Sequence, residues 1–599
     1  MNKISIYALT FFLSLSSVTV YSQKNNKQVI FTNEQGSDIF YHTIERGQTV
    51  YAIATMYGVS VEDIYRLNPE SKEGIKAGST LRIPQKDSAI APSGKADNYT
   101  YHTIQPKETL YSLSIKYSVP ATDIIAANPG LSTSTFTIGK NIRIPPTRLE
   151  TLPTTEKKTV QKEMEYTIQK KETMYRICRK FDISSVELLR LNPELKNGVK
   201  AGMVIKIPVA SEEVITQNIR QPEEREVNAL LSTPKDIKKV NRIQVALLLP
   251  FMTNETTQSS ATSRFVEYYE GLLLAVDSLR NMGTSIELSV YDTGNGTKKV
   301  KEILKEDALS NANLIIGAVQ NDQIGLIADF AQKHNIKYVI PFTSKNDDVL
   351  SNANVYQVNT PHSYLYSKAA QAGCDLFSDY NIILVNIKDK EEKPEFIKAF
   401  KTEMQQRDIP FKDKGDTFAT DIEAAMVRDK RNVVLPTSAS LDAVNKIKAP
   451  LRMLSELKEE EKEPYMVNLF GYPEWQTYTR ECLEDFYALN TYIYSNFYAD
   501  NLSPEVHSFY SDYKNWYSKN LINTFPKYGI LGFDTGMYFL GAINKYGSNF
   551  ENNLDKIHYK SIQTGFDFHR VNNWGGFINT NLFIVHYKND YTVTRGEVR

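Results

Sequence analysis

The chain has 599 residues, with Lys+Arg and Asp+Glu each numbering 70 and a formal net charge of zero. That length excludes a single core and calls for about three or four domains at least. The neutral balance excludes a charge-driven grip on nucleic acid or anionic lipid. Residues 1–22 read as a secretory signal peptide: Lys3 opens it, Ile6 to Leu15 form an apolar run too short to span a bilayer, and Val20-Tyr21-Ser22 offers a cleavage site before Gln23. No later stretch is apolar enough to span, so a soluble protein outside the inner membrane is expected, without an integral membrane segment. Cys178, Cys374 and Cys482 are scattered and make neither a disulfide framework nor a zinc site.

A skeleton then appears three times. Tyr41-His42-Thr43-Ile44, Gln48-Thr49-Val50-Tyr51, Leu67-Asn68-Pro69 and Leu81-Arg82-Ile83-Pro84 return as Tyr101-His102-Thr103-Ile104, Glu108-Thr109-Leu110-Tyr111, Ala127-Asn128-Pro129 and Ile142-Arg143-Ile144-Pro145. The third copy reads Tyr166-Thr167-Ile168, Glu172-Thr173-Met174-Tyr175, Leu191-Asn192-Pro193 and Ile205-Lys206-Ile207-Pro208. Spacers between copies argue for separate small modules rather than a stacked solenoid. Each copy predicts a strand, a helix capped by Thr49, Thr109 or Thr173, a second helix ending before Asn-Pro, and a closing strand. Val50, Ile53 and Tyr57 fall on one helix face, as do Leu110, Leu113, Tyr117 and Met174, Ile177, Phe181. Cys178 matches Ala54 and Ser114, a position for a small side chain.

This βααβ unit of about 45 residues resembles the LysM module over residues 40–84, 100–145 and 165–208. The resemblance implies binding of peptidoglycan or another N-acetylglucosamine-containing glycan in a groove between the first strand–helix loop and the loop after the second helix. The implied contact residues are Gly47, Gln48, Thr49, Val50, Asn68, Pro69 and Ile75 in the first module. In the second they are Lys107, Glu108, Thr109, Leu110, Asn128, Pro129 and Leu131; in the third, Lys171, Glu172, Thr173, Met174, Asn192, Pro193 and Leu195. Read from the residues alone, each asparagine before proline also fits a purely structural turn. The spacers 85–99 and 146–164 read as loops, so three weak sites on one polymer gain avidity through effective concentration. A charged linker, 209–241, follows.

From Arg242 onward, apolar runs alternate with helical stretches. Val245 to Pro250, Ile286 to Tyr291, Leu314 to Gly317, Tyr338 to Pro341, Ile382 to Asn386, Asn432 to Pro436 and Met466 to Phe470 read as strands, with helices at Phe265 to Arg280 and Ile324 to His334. A two-lobed parallel α/β architecture is expected over 242–590. Tyr268 to Asp277, Ile315 to Gln320, Val339 to Ser344, and a helix start at Phe533 to Tyr538 resemble the type I periplasmic binding proteins, which include leucine-type receptors of ABC transporters. In that family ligands bind between the lobes. The implied cleft positions here are Gln320, Asn321, Thr343 and Ser344 from one lobe and Tyr472 and Glu474 from the other. Gln320-Asn321 departs from the small hydroxyl residues usual in amino-acid receptors.

Two Asp-Thr-Gly triplets, at Asp292 and Asp534, lack the strand settings that a shared-proton aspartic protease needs. The eight histidines show no ligand spacing, and no Gly-x-Ser-x-Gly elbow occurs. The expectation is therefore a multidomain α/β and α+β protein without catalytic residues, metal or cofactor, periplasmic or secreted and associated with the cell wall. Its large domain would act as sensor, scaffold or regulator of wall metabolism, with a wall-synthesis or remodelling protein or a small solute as further partner. The alternative is a wall-tethered solute receptor for an ABC-type transporter. Tyr487, Tyr492, Tyr494 and Tyr498 read as core, or else as an exposed platform.

Overall fold

The computed structural model describes most of residues 39–84, 99–146, 157–232 and 237–598, with short breaks. The leader at 1–22, the spacer 85–98, Gly47 and Gln48 lie outside the described residues. Residues Pro146–Val227 form one compact unit; the first two modules and the α/β domain fall in another.

Each module is an antiparallel strand pair carrying short helices. β1 (Ile39–Thr43) pairs with β2 (Thr80–Pro84), β3 (Thr100–Thr103) with β4 (Asn141–Ile144), and β5 (Lys157–Thr167) with β6 (Val204–Val214). In the second module the helix Leu110–Tyr117 starts from Thr109, whose hydroxyl accepts the Ser112 amide while Ser112 returns a bond to the cap. In the third, Thr173 accepts the Arg176 amide and caps Met174–Phe181, and Ser184 accepts the Glu187 amide and caps Ser185–Leu191. Ile44, Val50, Ile53, Ile64, Leu81 and Ile83 close the first core, and Ile168, Ile177, Leu188, Leu195, Ile205 and Ile207 the third. Cys178 packs half-buried against that third core, as its small neighbours at the matched positions suggest.

One expectation fails in the spacers. The β5–β6 ladder runs on through Lys157↔Val214, so parts of 146–164 and 209–241 are strand rather than loop, and Glu224–Ala229 is helical. Thr159, Val160, Val209 and Val214 favour extended backbone, a local preference that the charged composition of these stretches hides.

The α/β domain holds two seven-stranded sheets. The first takes β7 (Ile243–Leu249), β8 (Ile286–Asp292), β9 (Leu314–Gly317), β10 (Lys337–Ile340) and β11 (Val355–Gln357), all parallel, and later β17 (Phe568–Arg570) and β18 (Phe577–Asn579). The second takes β12 (Asn381–Val385), β13 (Phe411–Lys414), β14 (Asn432–Pro436), β15 (Val467–Gly471) and β16 (Tyr492–Ser495) in parallel. Antiparallel β19 (Phe583–Tyr587) and β20 (Val593–Glu597) complete it. The chain therefore passes between lobes three times, after β11, β16 and β18, giving the expected two-lobed Rossmann-like arrangement.

Helices Ser260–Asn281 and Tyr528–Tyr546 cross at backbone contact. A Cβ at Gly271 would stand 1.7 Å from the Gly529 carbonyl oxygen, and one at Gly532 2.0 Å from that of Tyr268. The second helix starts at Tyr528, so Phe533 lies inside it and not at its start. Asp534, fully buried, accepts from the Tyr559 hydroxyl at 3.0 Å and from the amides of Ile562, Gln563 and Thr564 at 2.9, 2.8 and 2.8 Å. Burial pushes its carboxyl up to about 6 against those four donors. Asp292 serves a different set, accepting from Thr253, Gly294 and Lys299 at the end of β8. The two carboxylates of the Asp-Thr-Gly triplets are thus separate structural hubs. Of the tyrosine cluster, Tyr494 is buried against Phe396 and Phe470, and Tyr492 stacks on His586 at 3.8 Å.

Candidate functional site

The first strand–helix loop has the same construction in modules two and three. Lys107 and Lys171 take left-handed backbone, with φ of 70° and 72°. The matched residue of the first module is Gly47, for which that conformation carries no steric cost. One residue on, Glu108 accepts the Gln105 amide at 2.8 Å, and Glu172 the Gln169 amide at 2.8 Å. Each carboxylate is held further by its strand and helix. Glu108 contacts His102 Nε2 at 2.5 Å and Lys116 Nζ at 2.9 Å, while Glu172 accepts from the Tyr166 hydroxyl at 2.9 Å, with Lys180 Nζ at 3.7 Å. Burial pushes the Glu108 carboxyl up, but the Gln105 amide, Lys116 and His102 outweigh it and hold it below the usual range. Burial also depresses the His102 imidazole. Glu108 and Glu172, expected at the glycan surface, are instead the internal fasteners of the loop.

The asparagines receive a similar correction. Asn128 is fully buried: its Nδ2 donates to the carbonyls of Ile124 and Arg143 at 2.7 and 2.6 Å, and its Oδ1 accepts the Arg143 amide at 2.7 Å. Asn192 bonds Leu188 and Lys206 in the same way, and Asn68 Nδ2 donates to Ile64 at 2.8 Å. A side-chain amide matches both a helix-end carbonyl and a paired strand backbone, so Asn128 and Asn192 clamp the second helix to the closing strand. Val50, Leu110, Leu131 and Leu195 are core side chains, each under 5% exposed, and cannot flank a sugar ring. The rim that remains is Lys107, Lys171, Thr173, Pro69 and Pro193, exposed, with Thr49, Thr109, Met174, Pro129 and Ile75 half-buried. Tyr175, beside the third module's cap, is 72% exposed.

In the α/β domain the expected cleft residues do lie at the carboxyl ends of parallel strands, the usual ligand position in such sheets. Gln320 follows β9, and its side chain accepts the Gly296 amide at 3.0 Å and donates to Asn295 at 3.1 Å; Asn321 opens the helix Asn321–His334. Thr343 and Ser344 follow β10, where Gln357 Nε2 donates to the Thr343 carbonyl at 3.3 Å. Tyr472 is a correction: it is fully buried and its hydroxyl donates to the Pro436 carbonyl at 2.6 Å, so it is core. Glu474 pairs with Lys393 at 2.6 Å and His362 at 3.5 Å. Burial works to raise its carboxyl, but these two partners draw it down to about 2.

A second polar group beside it was missed. Asp389 accepts from the hydroxyls of Ser438 and Ser440 at 2.6 and 2.7 Å, at the ends of β12 and β14. Its sequence signal was available: Thr437-Ser438-Ala439-Ser440 leaves a strand as a polar exit, just as Thr343-Ser344 does. Among the described residues no group of three or more His, Cys, Asp or Glu side chains could hold a metal ion, and no helix is long and apolar enough to cross a membrane.

The chain carries three LysM domains: the family model matches residues 42–84, 102–145 and 166–208. It is 33% identical over 107 residues to the putative sporulation-specific glycosylase YdhD of Bacillus subtilis, and 30% identical over 115 residues to an autolysin of Enterococcus faecalis. It is 23% identical over 159 residues to the N-acetylmuramoyl-L-alanine amidase sle1 of Staphylococcus aureus. These matches cover 18%, 19% and 25% of this chain and span only 22%, 16% and 47% of the relatives. Among solved structures, a putative branched-chain amino acid ABC transporter protein from Rhodospirillum rubrum aligns over 59% of this chain and 100% of its own, at 13% identity and a TM-score of 0.44. An ABC transporter substrate-binding protein from Desulfitobacterium hafniense in complex with Leu aligns over 59% and 100%, at 14% identity and 0.35.

Proposed function

We propose that this is an exported, non-catalytic protein that binds peptidoglycan through its LysM domains and presents the α/β domain at the wall as a sensor, scaffold or regulator. The observation that carries this reading is the triple LysM array, whose matched relatives are named as wall-lytic enzymes but share only that stretch with this chain. Loops fastened from within by Glu108, Glu172 and the buried asparagines offer a preformed rim with little ordering cost on binding. At the lobe ends of the α/β domain, Asp389 is bonded by Ser438 and Ser440, and Glu474 is paired with Lys393 and His362 through Oε1, while its buried Oε2 has no partner. Retention of the full-length chain by purified sacculi tests the proposal, and passage without retention overturns it. Muropeptide release by the retained protein would make it an enzyme, and a solute-dependent rise in melting temperature would make it a receptor.

A further inference from the structure

The second module differs from the others at one rim position. Asn-Pro is followed by Gly130 there, and by Glu70 and Glu194 in the first and third modules, both exposed. The glycine has a physical reason: a Cβ at position 130 would stand 2.5 Å from Arg570 Cδ and 3.1 Å from the Asn573 carbonyl oxygen. Arg570 ends β17 and Asn573 lies in the tight connection to β18, whose turn is fixed by Asn572 Oδ1 accepting the Trp574 amide.

That connection reaches into the second module. The Gly130 amide donates to the Asn573 carbonyl at 2.8 Å, and Asn573 Nδ2 donates to the Asn141 carbonyl at 3.0 Å. The Arg143 guanidinium lies 5.0 Å from the Trp574 ring centroid and 5.2 Å from that of Tyr99. At the opposite edge of the candidate groove, the Tyr111 amide donates to Asn228 Oδ1 at 3.2 Å. A carbonyl that accepts from the module and an amide N–H that donates to it are the two hydrogen-bonding functions of an acetamido group.

We propose that the Arg570–Trp574 loop is an internal ligand of the second LysM domain, an acetamido mimic seated on its glycan rim, so that an N-acetylglucosamine glycan and the α/β domain compete for that module. This rests on the glycan-binding reading above and adds to it a route by which wall contact reaches the large domain. Glycan that fills the second module releases a loop joining two strands of the first lobe's sheet. The third module, with Glu194 in place of the glycine and Tyr175 exposed, binds glycan without that competition.

The test uses full-length chain and soluble chitopentaose, with Gly130→Glu, which installs the side chain of the sister modules, and Asn573→Ala, which removes one of the two bonds. Titration calorimetry and hydrogen exchange of residues 570–576 are read together. The native chain should show one site at least tenfold weaker than the rest, with exchange at 570–576 rising as that site fills. Gly130→Glu should show the raised exchange without glycan and a second module that binds as tightly as the third. Asn573→Ala should shift both readouts part of the way. Equal sites in the native chain, with exchange at 570–576 indifferent to glycan, overturn the competition and leave the glycan-binding function standing. Absence of pentaose binding by native chain and both variants overturns the glycan reading and the mimicry with it.

Discussion

Modules two and three carry the same fold with different wiring, and the difference separates what the fold requires from what each module has been adapted to do. Both place a buried asparagine between the second helix and the closing strand, and both hold a glutamate under the first loop. They diverge at the strand residue that faces that glutamate, His102 in one and Tyr166 in the other. They diverge again at Gly130 against Glu194, where one rim is covered and the other exposed. Positions that agree are structural, whatever a motif suggests about ligand contact; positions that disagree are where function can reside.

The largest expected effect tests the agreement. Asn128→Ala and Asn192→Ala each strand a buried strand amide and remove bonds to two carbonyls, which costs about 3 kcal/mol. In modules near the lower size limit for independent folding, that is a large share of the total stability. Hydrogen exchange at Arg143 and Lys206 should lose protection to the same degree in each variant. A loss confined to one module would show that the clamp is not shared, and loss of glycan binding with protection intact would return the asparagines to the binding surface.

This clamp also marks what could be read in the sequence. The recurring Thr, Asn-Pro and Ile-Pro positions made the βααβ order legible, because capping, the restriction before proline and apolar periodicity are all local. The parallel strands from Val245 to Phe470 were legible for the same reason, being continuous buried runs. What Asn128 and Glu108 touch was not, since a partner 15 or 6 positions away is set by how helix and strand come to rest. Tyr472 misled in the same way: its place after a strand suggested a cleft, and only packing reveals that its hydroxyl turns inward to Pro436. Gly130 was visible as a departure from Glu70 and Glu194, but its meaning needed Asn573, more than four hundred residues away in the chain.

A middle-sized effect tests the divergence at the strand residue. Burial lowers the His102 pKa in the folded module below its ordinary 6.5. The unfolded chain then binds more protons over that interval, so the stability of the second module is full above pH 6.5 and is lost as pH falls toward the folded value. The third module has Tyr166 at that place, and it holds its stability until Glu172, whose carboxyl is held below the usual range by the Gln169 amide, protonates. Melting of the intact chain followed by exchange in each module, at pH 7 and at about pH 5, should show the second weakening first. His102→Tyr should remove that difference, and a pH response that survives the substitution would assign it to another group.

The smallest effect returns to a feature that the two modules share and the first avoids. Lys107 and Lys171 hold left-handed backbone at φ of 70° and 72°, a conformation that strains any side chain with a Cβ, and the first module has Gly47 at that place. Lys107→Gly and Lys171→Gly should relieve about 1 kcal/mol of strain and return part of it as unfolded-state entropy, for a net gain of ~0.5 kcal/mol in each module. Their value is in what they do to binding. If the rim meets glycan through backbone amides and carbonyls, as the inward-turned Glu108 and Glu172 side chains suggest, Lys171→Gly keeps its retention on sacculi while the module melts higher. If retention falls instead, the lysine side chain reaches the sugar, and the loops of the second and third modules recognise glycan by a contact that Gly47 denies the first.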